Sequence, residues 1–478
     1  MPINSFLYPG AKVPPPGYDV ANSLRFDGSS SNLSRTQGSA TNQKKGTISF
    51  WMKPSAISDD MRIITNYNDV NNHAYLRLND DFQLQHYVLS GGSAIGHLKT
   101  TRLFRDFSAW YHIVLTIDTT QGTAANRMKL YVNGSQETAF ATETYPDQNA
   151  DHPLFAASAS GNHFIGRHYN DADYWHGYLA EFVQTDGQAL DPTSFGEFDS
   201  DSPTIWKPID VSGLTFGNNG YYLDFEDSSA LGNDVSGNDN DFTANNIAAT
   251  DQSTDTCTNN FATFNSAQPA LSNTSFSEGN LVVATNSSAS TQVPFATTIP
   301  ISTGKFYAEF KMIAKSTTSG SIPYIGVLGA ANFVSELNNA YFVGGSNLDG
   351  VGYGASGVVY SNGSELDSSE ASYDDDDIIG VAADITNKKI YFSKNGTYIN
   401  SGDPAAGSNG YTIPTTSQGF YIFAASLYGA SGSWGANFGS PSFSISSGNS
   451  DANGHGNFEY AVPSGYYALN TKNLAEFG

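Results

Sequence analysis

The stretch ITNKKIYFSKNGTYIN, residues 385–400, alternates apolar and polar side chains up to an Asn-Gly pair at positions 395 and 396. Alternation with a period of two predicts a strand with one buried face, and Asn-Gly tolerates the positive φ angles of a tight hairpin turn. A second stretch, NRMKLYVNGSQ at 126–136, has the same form, with its Asn-Gly pair at 133 and 134. We therefore predict two β-hairpins, 260 positions apart.

The composition agrees with an all-β protein. The chain has 478 residues, more than one hydrophobic core usually fills, so two or three domains are expected. It contains 30 Phe, 27 Tyr and 47 Gly, and only 14% of its residues are charged, which favours short strands and turns over long charged helices. Cys257 is the single cysteine, so an internal disulfide framework is excluded.

The net charge of −24 argues against nucleic acid as a partner, because such a surface repels phosphate backbones. It favours solubility and the binding of divalent cations. The N-terminus has neither the positive start nor the apolar stretch of a secretory signal, and no apolar run approaches 18 residues. We expect a protein without a signal peptide and without insertion into a membrane.

Strand-length segments separated by Gly, Asn, Asp and Ser clusters fill residues 20–200, after a Pro-rich arm at 1–19. Five of them stand in a characteristic order: LRFDGSSSNLS, TISFWMKP, WYHIVLTID, KLYVNG and FIGRHYNDADYWHGYLAEFVQ. This order resembles the laminin-G-like, concanavalin A-like lectin/glucanase family. The resemblance implies a jelly-roll of two antiparallel sheets packed face to face.

A second module is expected at residues 276–445. GKFYAEFKM, IGV, IIGVAADITNKKIYFSKNG and a late WGANFG resemble the SPRY domain, a β-sandwich used mainly for binding. The Gly/Asn/Asp-rich segment 201–275 between the modules is interpreted as a connector or small subdomain. Residues 446–478 form a C-terminal tail, interpreted as a last strand or as a peg for assembly. The predicted architecture is thus two tandem antiparallel β-sandwiches joined by a connector.

One run of carboxylates suggests catalysis. In GEFDSDS, Glu197, Asp199 and Asp201 alternate as do the acids that laminarinase-like glucanases place on one strand. The third acid is Asp where that family has Glu, and the run lies between two prolines in Gly/Ser-rich sequence. A solvated acidic loop is the preferred interpretation, and we expect no enzyme.

Calcium is the expected cofactor, if there is one, because laminin-G-like sandwiches often hold it with Asp and Asn oxygens at one rim. The candidate ligands are Asp171, Asp173, Asp224, Asp227, Asp234, Asn238, Asp239 and Asp241. Simple turn chemistry is the alternative for all of them. The four adjacent acids at 374–377 are interpreted as a loop that protects an edge strand from aggregation.

Two aromatic residues are candidates for stacking on sugar rings. Tyr174 and Trp175 follow Asp171 and Asp173 in one loop, which suggests an exposed binding platform. Trp51 and Trp110 lie inside alternating strands and are expected in the core. The histidines follow no zinc-binding spacing.

Segments across the whole chain resemble structural proteins of marine bacteriophages: NSFLYPGAKVPPPGYDVANSLRF, YLAEFVQTDGQALDPTSFGEFD, GYYLDFED, TDTCTNNFATFN and VPSGYYALN. This resemblance implies a virion protein, which leaves the host by lysis and needs no signal peptide. The first hypothesis is a tail fibre, appendage or capsid-decorating protein that binds host-surface glycans, as a homo-oligomer in contact with other virion proteins. The alternatives are an architectural decoration or cement protein and a polysaccharide depolymerase.

Overall fold

The computed structural model describes residues 17–55, 60–159, 161–267, 273–286, 292–316, 322–329, 342–346, 348–429 and 431–478. Strands and turns dominate these residues. One α-helix, α1 (Thr471–Phe477), lies at the C-terminus. Four short 3₁₀ helices lie at Ala124–Asn126, Pro153–Phe155, Pro192–Ser194 and Ala249–Asp251.

The strands follow one another along the chain in two groups. The first group is β1 (Ser23–Asp27), β2 (Asn32–Arg35), β3 (Lys45–Pro54), β4 (Met61–Asp69), β5 (Asn72–Leu78), β6 (Leu84–Ser90), β7 (Ser93–Thr100), β8 (Tyr111–Asp118), β9 (Met128–Val132), β10 (Ser135–Gln136), β11 (Phe140–Thr144), β12 (His163–Ile165), β13 (His176–Asp186), β14 (Gly196–Phe198), β15 (Trp206–Pro208), β16 (Tyr221–Leu223), β17 (Thr243–Asn245) and β18 (Gln252–Ser253). The second group is β19 (Thr274–Ser277), β20 (Val282–Thr285), β21 (Gln292–Ala296), β22 (Lys305–Ala314), β23 (Tyr324–Gly329), β24 (Val351–Gly354), β25 (Val359–Ser361), β26 (Ser364–Asp367), β27 (Ile378–Asp384), β28 (Lys389–Lys394), β29 (Thr397–Tyr398), β30 (Tyr411–Thr412), β31 (Tyr421–Tyr428), β32 (Ser433–Asn437) and β33 (Tyr467–Ala468).

The first group forms a sandwich of two antiparallel sheets. Sheet A has the order β10-β9-β8-β3-β13-β1-β18, with β16 also paired to β13, and sheet B has the order β11-β7-β6-β5-β4-β12-β2-β17. Their facing side chains, such as Leu24, Phe50, Leu76 and Leu115, form one buried core. Strands β14 and β15 make a separate two-stranded hairpin beside this sandwich.

The second group forms another sandwich. Sheet C has the order β19-β20-β32-β22-β27-β28-β29, with β30 on β28 and β33 on β22, and sheet D has the order β21-β31-β23-β24-β25-β26. Phe310, Ile325, Val381 and Trp434 are among the side chains that fill the core between them. The prediction of an all-β chain with tandem sandwiches is therefore confirmed.

Both predicted hairpins are present, with their Asn-Gly pairs in the left-handed region. Asn133 and Gly134 have φ of 47° and 75°, and Asn395 and Gly396 have 47° and 80°. One detail differs from the expectation for β28, because both of its faces are buried. Ile390 points into the main core, whereas Tyr391 packs under Phe458 and Tyr466 of the C-terminal segment.

The segment 201–275, predicted to be a connector or small subdomain, does not form a separate unit. Its strands β16, β17 and β18 pair with β13, β2 and β1 of the first sandwich. The remainder of the segment leads into the second sandwich, where Phe264 forms an isolated antiparallel β-bridge with Thr297. The reason is that its few apolar side chains, among them Tyr221, Leu223 and Phe242, complete the first core. The first sandwich therefore has strands beyond residue 200, as far as β18.

The predicted tail, residues 446–478, is part of the second sandwich. Strand β33 pairs in parallel with β22, and Phe458 packs edge to face on Tyr307 with ring centroids 5.2 Å apart. Most of the predicted N-terminal arm lies outside the described residues. Within the described part of the chain, no helix combines the length and the apolar character needed to cross a membrane.

Candidate functional site

The carboxylates considered for catalysis lie on the hairpin β14–β15. The Lys207 ammonium is 3.2 Å from Glu197 Oε1 and 3.5 Å from Asp199 Oδ2. Asp199 Oδ1 also accepts hydrogen bonds from the backbone N–H groups of Asp201 and Ser202. These backbone bonds and Lys207 lower the pKa of the Asp199 carboxyl, whereas a glycosidase acid needs a raised one. The three acids thus build a turn and an ion pair.

The predicted calcium ligands between 224 and 241 are mostly engaged as hydrogen-bonding groups in turns. Asp234 is buried, and its carboxylate accepts hydrogen bonds from the backbone N–H groups of Tyr222, Ser236 and Asn240. The carboxylates of Asp224, Asp227 and Asp241 likewise accept hydrogen bonds from the backbone N–H groups of Glu226, Ser229 and Asp234, respectively. The side-chain amide of Asn238 instead donates to two backbone carbonyls. Asp239 has a φ of 56° in one of these turns.

These groups do not fit calcium, because its ligands are several free oxygens that converge on one point. Within the described ranges, no three His, Cys, Asp or Glu side chains come together closely enough to hold a metal ion. One carboxylate oxygen of each of Asp224, Asp227 and Asp241 accepts a hydrogen bond from a backbone N–H of the same segment. Turn chemistry, the alternative considered from the sequence, is what the structure places there.

Lysine side chains neutralise the acidic run at 374–377. Lys315 lies 3.6 Å from Asp374, Lys311 lies 2.8 Å from Asp376, and Lys394 lies 3.0 Å from Asp377. The run precedes β27 and is tied to β22 and β28 by these contacts. Its like charges are therefore compensated within the chain.

The two residues of the predicted aromatic platform differ in their exposure. Trp175 is completely buried in the core of the first sandwich, and its backbone N–H donates to Gly166 O at 2.8 Å. The prediction that Trp175 is exposed is wrong, because the residue stands at the entrance to β13 and its side chain points between the sheets. Tyr174 is half-buried and lies at the surface of sheet B.

Tyr174 belongs to a loop, residues 166–174, that is held by local polar contacts. The Asp171 carboxylate accepts hydrogen bonds from the Tyr174 hydroxyl and from Arg167, whose Nη1 is 2.5 Å away. The Tyr174 hydrogen bond and the Arg167 charge lower the pKa of the Asp171 carboxyl. Asp171 and Asp173 adopt φ of 63° and 54°, and Asp173 Oδ2 lies 3.1 Å from Arg62 Nε. The loop is thereby pinned to β4.

This loop forms one wall of a polar pocket of about 480 Å³ on the outer face of sheet B. The pocket is contributed by β2, β12 and β17 together with the loops beside them. Its lining consists almost entirely of hydroxyl, amide and charged side chains: Ser29, Ser30, Asn32, Ser34, Gly161, Asn162, Phe164, Arg167, Asp171, Tyr174, Asn245 and Asn246. We refer to this feature as the polar pocket.

The residues around the polar pocket are fixed by hydrogen bonds, most of them half-buried. Asp27 accepts hydrogen bonds from the backbone N–H groups of Ser29, Ser30 and Ser31. Burial opposes ionisation of Asp27, but these bonds outweigh it and hold the pKa of the carboxyl well below its ordinary value. Asn245 on β17 donates to Asn32 Oδ1 and Ser34 Oγ of β2. The pocket is thus preorganised.

A row of aromatic rings covers the other half of the same face and was missed by the sequence analysis. Opposed residues on adjacent strands place Tyr67 beside His73, Tyr75 beside Tyr87, and Tyr87 beside His97. Their ring centroids are 6.0, 5.4 and 5.4 Å apart. Tyr169 of the loop stacks on Tyr67 at 3.8 Å. We call these six residues, Tyr67, His73, Tyr75, Tyr87, His97 and Tyr169, the aromatic band.

Arginine connects the aromatic band with the loop. The Arg62 guanidinium lies 3.6 Å from the centroid of the Tyr75 ring, and the same side chain pairs with Asp173. Arg77 Nε donates to Gln85 Oε1 at 2.8 Å. The loop 166–174 therefore separates two surfaces on one sheet, the polar pocket over β12, β2 and β17 and the aromatic band over β4 to β7.

Comparisons with known proteins agree with this architecture. The family model Laminin_G_3, described as the concanavalin A-like lectin/glucanases superfamily, matches residues 27–191. These residues are therefore similar to the concanavalin A-like lectin/glucanases superfamily. No curated protein matches the chain.

Three solved structures are similar at low identity. The SPRY domain of human HERC1 is 16% identical, with 33% of this chain and 87% of that chain covered and a TM-score of 0.25. A human SPRY domain is 15% identical, with 33% and 90% covered and a TM-score of 0.25. The heptameric SAP-like pentraxin from Limulus polyphemus is 18% identical, with 36% and 80% covered and a TM-score of 0.27.

Proposed function

We propose that this protein is a structural component of a bacteriophage particle and that its first sandwich attaches to host-surface glycans through the polar pocket. The observation that carries the proposal is the pocket itself, a preorganised cavity of about 480 Å³ lined by hydroxyl, amide, carboxylate, guanidinium and phenol groups. A sugar presents many hydroxyls and an apolar ring face, so a site for it needs such polar groups together with an aromatic side chain. The lectin family match supports the same ligand class.

Each side chain at the mouth of the pocket has a distinct part in this proposal. Tyr174 offers a half-buried ring for the apolar face of a sugar, and Asp171 offers carboxylate oxygens to sugar hydroxyls. Arg167 supplies donors, and its Nε has no hydrogen-bond partner among the residues that the structure describes. Asn245 and Asn246 lie beyond the residues matched by the lectin family model, so the pocket of this chain includes an addition to that domain.

The assignment to a phage particle is supported by the resemblance of segments throughout the chain to phage structural proteins. In this role the protein is a fibre, appendage or capsid-decorating component, a homo-oligomer that contacts other virion proteins. Mass spectrometry of purified particles tests this part. Absence of the chain from the particles contradicts it, whatever the protein binds.

Glycan binding is tested by applying the purified full chain to a glycan array, with and without calcium. Tyr174→Ala should abolish the signals that the natural chain gives. Tyr145→Ala is the matched control, because Tyr145 also donates to a neighbouring carboxylate, Glu143, at 3.1 Å but lies outside the pocket. An array without signal, or equal signals from both variants, contradicts the proposed site.

An architectural role, in which the protein binds only other virion proteins, is the second candidate. It is favoured by the hairpin β14–β15, where Phe198 is 46% exposed and Ile205, which precedes β15, is 55% exposed. Exposed apolar side chains of this size often mark protein contacts. A flat glycan array together with retention of the protein on particles favours this candidate.

A further inference from the structure

The aromatic band has polar groups for which the described residues provide no hydrogen-bond partner. The hydroxyls of Tyr67, Tyr75, Tyr87 and Tyr169 take part in no hydrogen bond with the described part of the chain. Two buried nitrogens beside them, Arg62 Nη1 and His73 Nδ1, also have no hydrogen-bond partner. Each of the four hydroxyls can both donate and accept a hydrogen bond, so this face has capacity for a polar ligand.

The spacing of the rings is regular across the sheet. The band places at least one ring on each of β4, β5, β6 and β7, and neighbouring ring centroids along the path Tyr67, His73, Tyr75, Tyr87 and His97 are 6.0, 6.4, 5.4 and 5.4 Å apart. This spacing follows from the separation of neighbouring strands, about 4.8 Å. It is close to the length of one pyranose unit in an extended polysaccharide. A chain that crosses the strands therefore meets a new ring with each sugar.

We propose that the aromatic band is a second glycan-binding surface, which holds an extended polysaccharide chain across β4 to β7. This inference rests on the proposed function and specifies its ligand as a polymer of several sugar units rather than a terminal sugar. The rings stack on the apolar faces of successive sugars. The free tyrosine hydroxyls bond the sugar hydroxyls, which are both donors and acceptors.

The residue types of the band favour a polysaccharide over a protein or a nucleic acid as its ligand. A protein partner typically covers a patch with aliphatic side chains at its centre, whereas this band consists of tyrosine and histidine with polar tips. Nucleic acid also stacks on aromatic rings, but it is repelled by a chain with a net charge of −24.

The band is continuous with the polar pocket through the loop 166–174. Tyr169 of this loop stacks on Tyr67 of the band, while Asp171 and Tyr174 line the pocket. The hydroxyl of Thr65 on β4 donates to Arg167 O at 3.0 Å and fixes the loop between the two surfaces. One polysaccharide chain can therefore occupy the band while a neighbouring sugar enters the pocket.

The test is affinity electrophoresis of the full chain in native gels that contain laminarin, dextran, xylan or alginate. Oligosaccharides of two to six units, prepared from each polymer that retards the protein, are then titrated by calorimetry. The band variants are Tyr87→Ala and His97→Ala. Tyr131→Ala is the control, since Tyr131 is a half-buried strand tyrosine on sheet A. Thermal unfolding of each variant verifies that it is folded.

The natural chain should bind more tightly as the oligosaccharide lengthens toward the span of four strands. Each folded band variant should weaken binding of the longest oligosaccharide about tenfold, as loss of an aromatic anchor typically does, and bind the disaccharide as before. If binding depends on Tyr174 but is unchanged in both band variants, the inference is overturned and the proposed function stands. If none of the four polymers retards the protein and the glycan array gives no signal, both the inference about the band and the proposed glycan-binding function are overturned.

Discussion

The ammonium nitrogen of Lys53 lies 2.7 Å from a carboxylate oxygen of Asp255, and both side chains are only 1% exposed. Lys53 is on β3 of the first sandwich, and Asp255 begins the segment that leads into the second. The same ammonium donates to Asn260 Oδ1 at 2.7 Å, and Trp110 Nε1 donates to the other oxygen of Asp255 at 3.0 Å. A fully bonded ion pair thus fixes the passage between the two sandwiches.

Removing one partner of this pair should be costly. Lys53→Met leaves the Asp255 carboxylate buried without its counter-charge, and we expect a loss of about 3–5 kcal/mol in the free energy of unfolding. Urea denaturation followed by tryptophan fluorescence measures it. Lys44→Met is the control, because the Lys44–Asp151 pair is exposed with atoms 3.8 Å apart, and it should cost less than about 1 kcal/mol. Equal losses would show that the buried pair is not a key contact.

The Asn395-Gly396 turn offers a second test, which separates backbone strain from crowding. Gly396 has a φ of 80°, and a Cβ atom added there would lie 2.6 Å from the ring of Tyr460. Gly465 has the same φ, but nothing lies within 4 Å of its added Cβ. Gly465→Ala should therefore show the cost of the left-handed backbone alone, about 1–2 kcal/mol.

Gly396→Ala should cost about 1–3 kcal/mol more than Gly465→Ala, because the Tyr460 ring must also move. The two variants are compared by urea unfolding under identical conditions. A smaller loss in Gly396→Ala than in Gly465→Ala would mean that the C-terminal segment does not press on this turn.

Local sequence patterns were sufficient to predict the sandwiches and the two hairpins. Alternation and Asn-Gly pairs depend on neighbours within a few residues, so they can be recognised without the fold. The burial of Tyr391 could not be predicted in this way. The side chains that cover it, Phe458 and Tyr466, come from a segment more than 60 residues later.

Much of the candidate site also depends on residues that are far apart in the sequence, so local patterns do not predict it. The loop with Asp171 and Tyr174 was identified because polar and aromatic residues cluster there in the sequence. The rest of the polar pocket comes from residues near 30 and 245, which only the pairing of β17 with β2 brings together. The aromatic band is equally dispersed over four strands. The sequence feature that indicates the band is a tyrosine at an outward-facing position in each of two predicted strands, Tyr75 in AYLRL and Tyr87 in LQHYVL.

The buried carboxyl of Glu181 should make stability depend on pH. Glu181 has a φ of 50° at a bulge in β13, and its Oε2 accepts hydrogen bonds from Tyr222 at 2.8 Å and Tyr18 at 3.1 Å. Burial nevertheless raises the pKa of Glu181 to about 7 from the ordinary 4.5. Between these two values the folded chain keeps a proton that the unfolded chain releases.

The contribution of Glu181 is therefore fully present below pH 4.5 and is lost as the pH rises toward 7, by roughly 3 kcal/mol in all. The difference in unfolding free energy between the natural chain and Glu181→Gln, measured in urea from pH 4 to 8, isolates this group. The natural chain should lose stability relative to the variant as the pH rises, and the difference should level off above pH 7. Parallel profiles would contradict the prediction.

The carboxylate of Glu309 holds the C-terminal segment on sheet C. Its Oε1 accepts hydrogen bonds from the Tyr307 hydroxyl at 3.1 Å and the Tyr460 N–H at 2.8 Å. Its Oε2 accepts from the Glu459 N–H at 2.9 Å and from Asn437 Nδ2 at 3.2 Å. Burial raises the pKa of Glu309 to about 7, so the carboxylate that accepts all four bonds predominates at pH 8.

In Glu309→Gln, the amide NH₂ group faces either the Glu459 N–H and Asn437 Nδ2, or the Tyr460 N–H and the Tyr307 hydroxyl. The hydroxyl can rotate to accept from the NH₂ group but the other three groups cannot, so at least one hydrogen bond is lost. With a cost of about 1–3 kcal/mol for each unpaired buried donor, we expect the segment around Tyr460 to detach before the sandwich unfolds. Limited proteolysis at pH 8, read by mass spectrometry, should show faster cleavage there and an intact core. Glu365→Gln is the control, because Glu365 is exposed on β26. Cleavage at the same rate in both variants would mean that other contacts, such as Phe458 on Tyr307, hold the segment without Glu309.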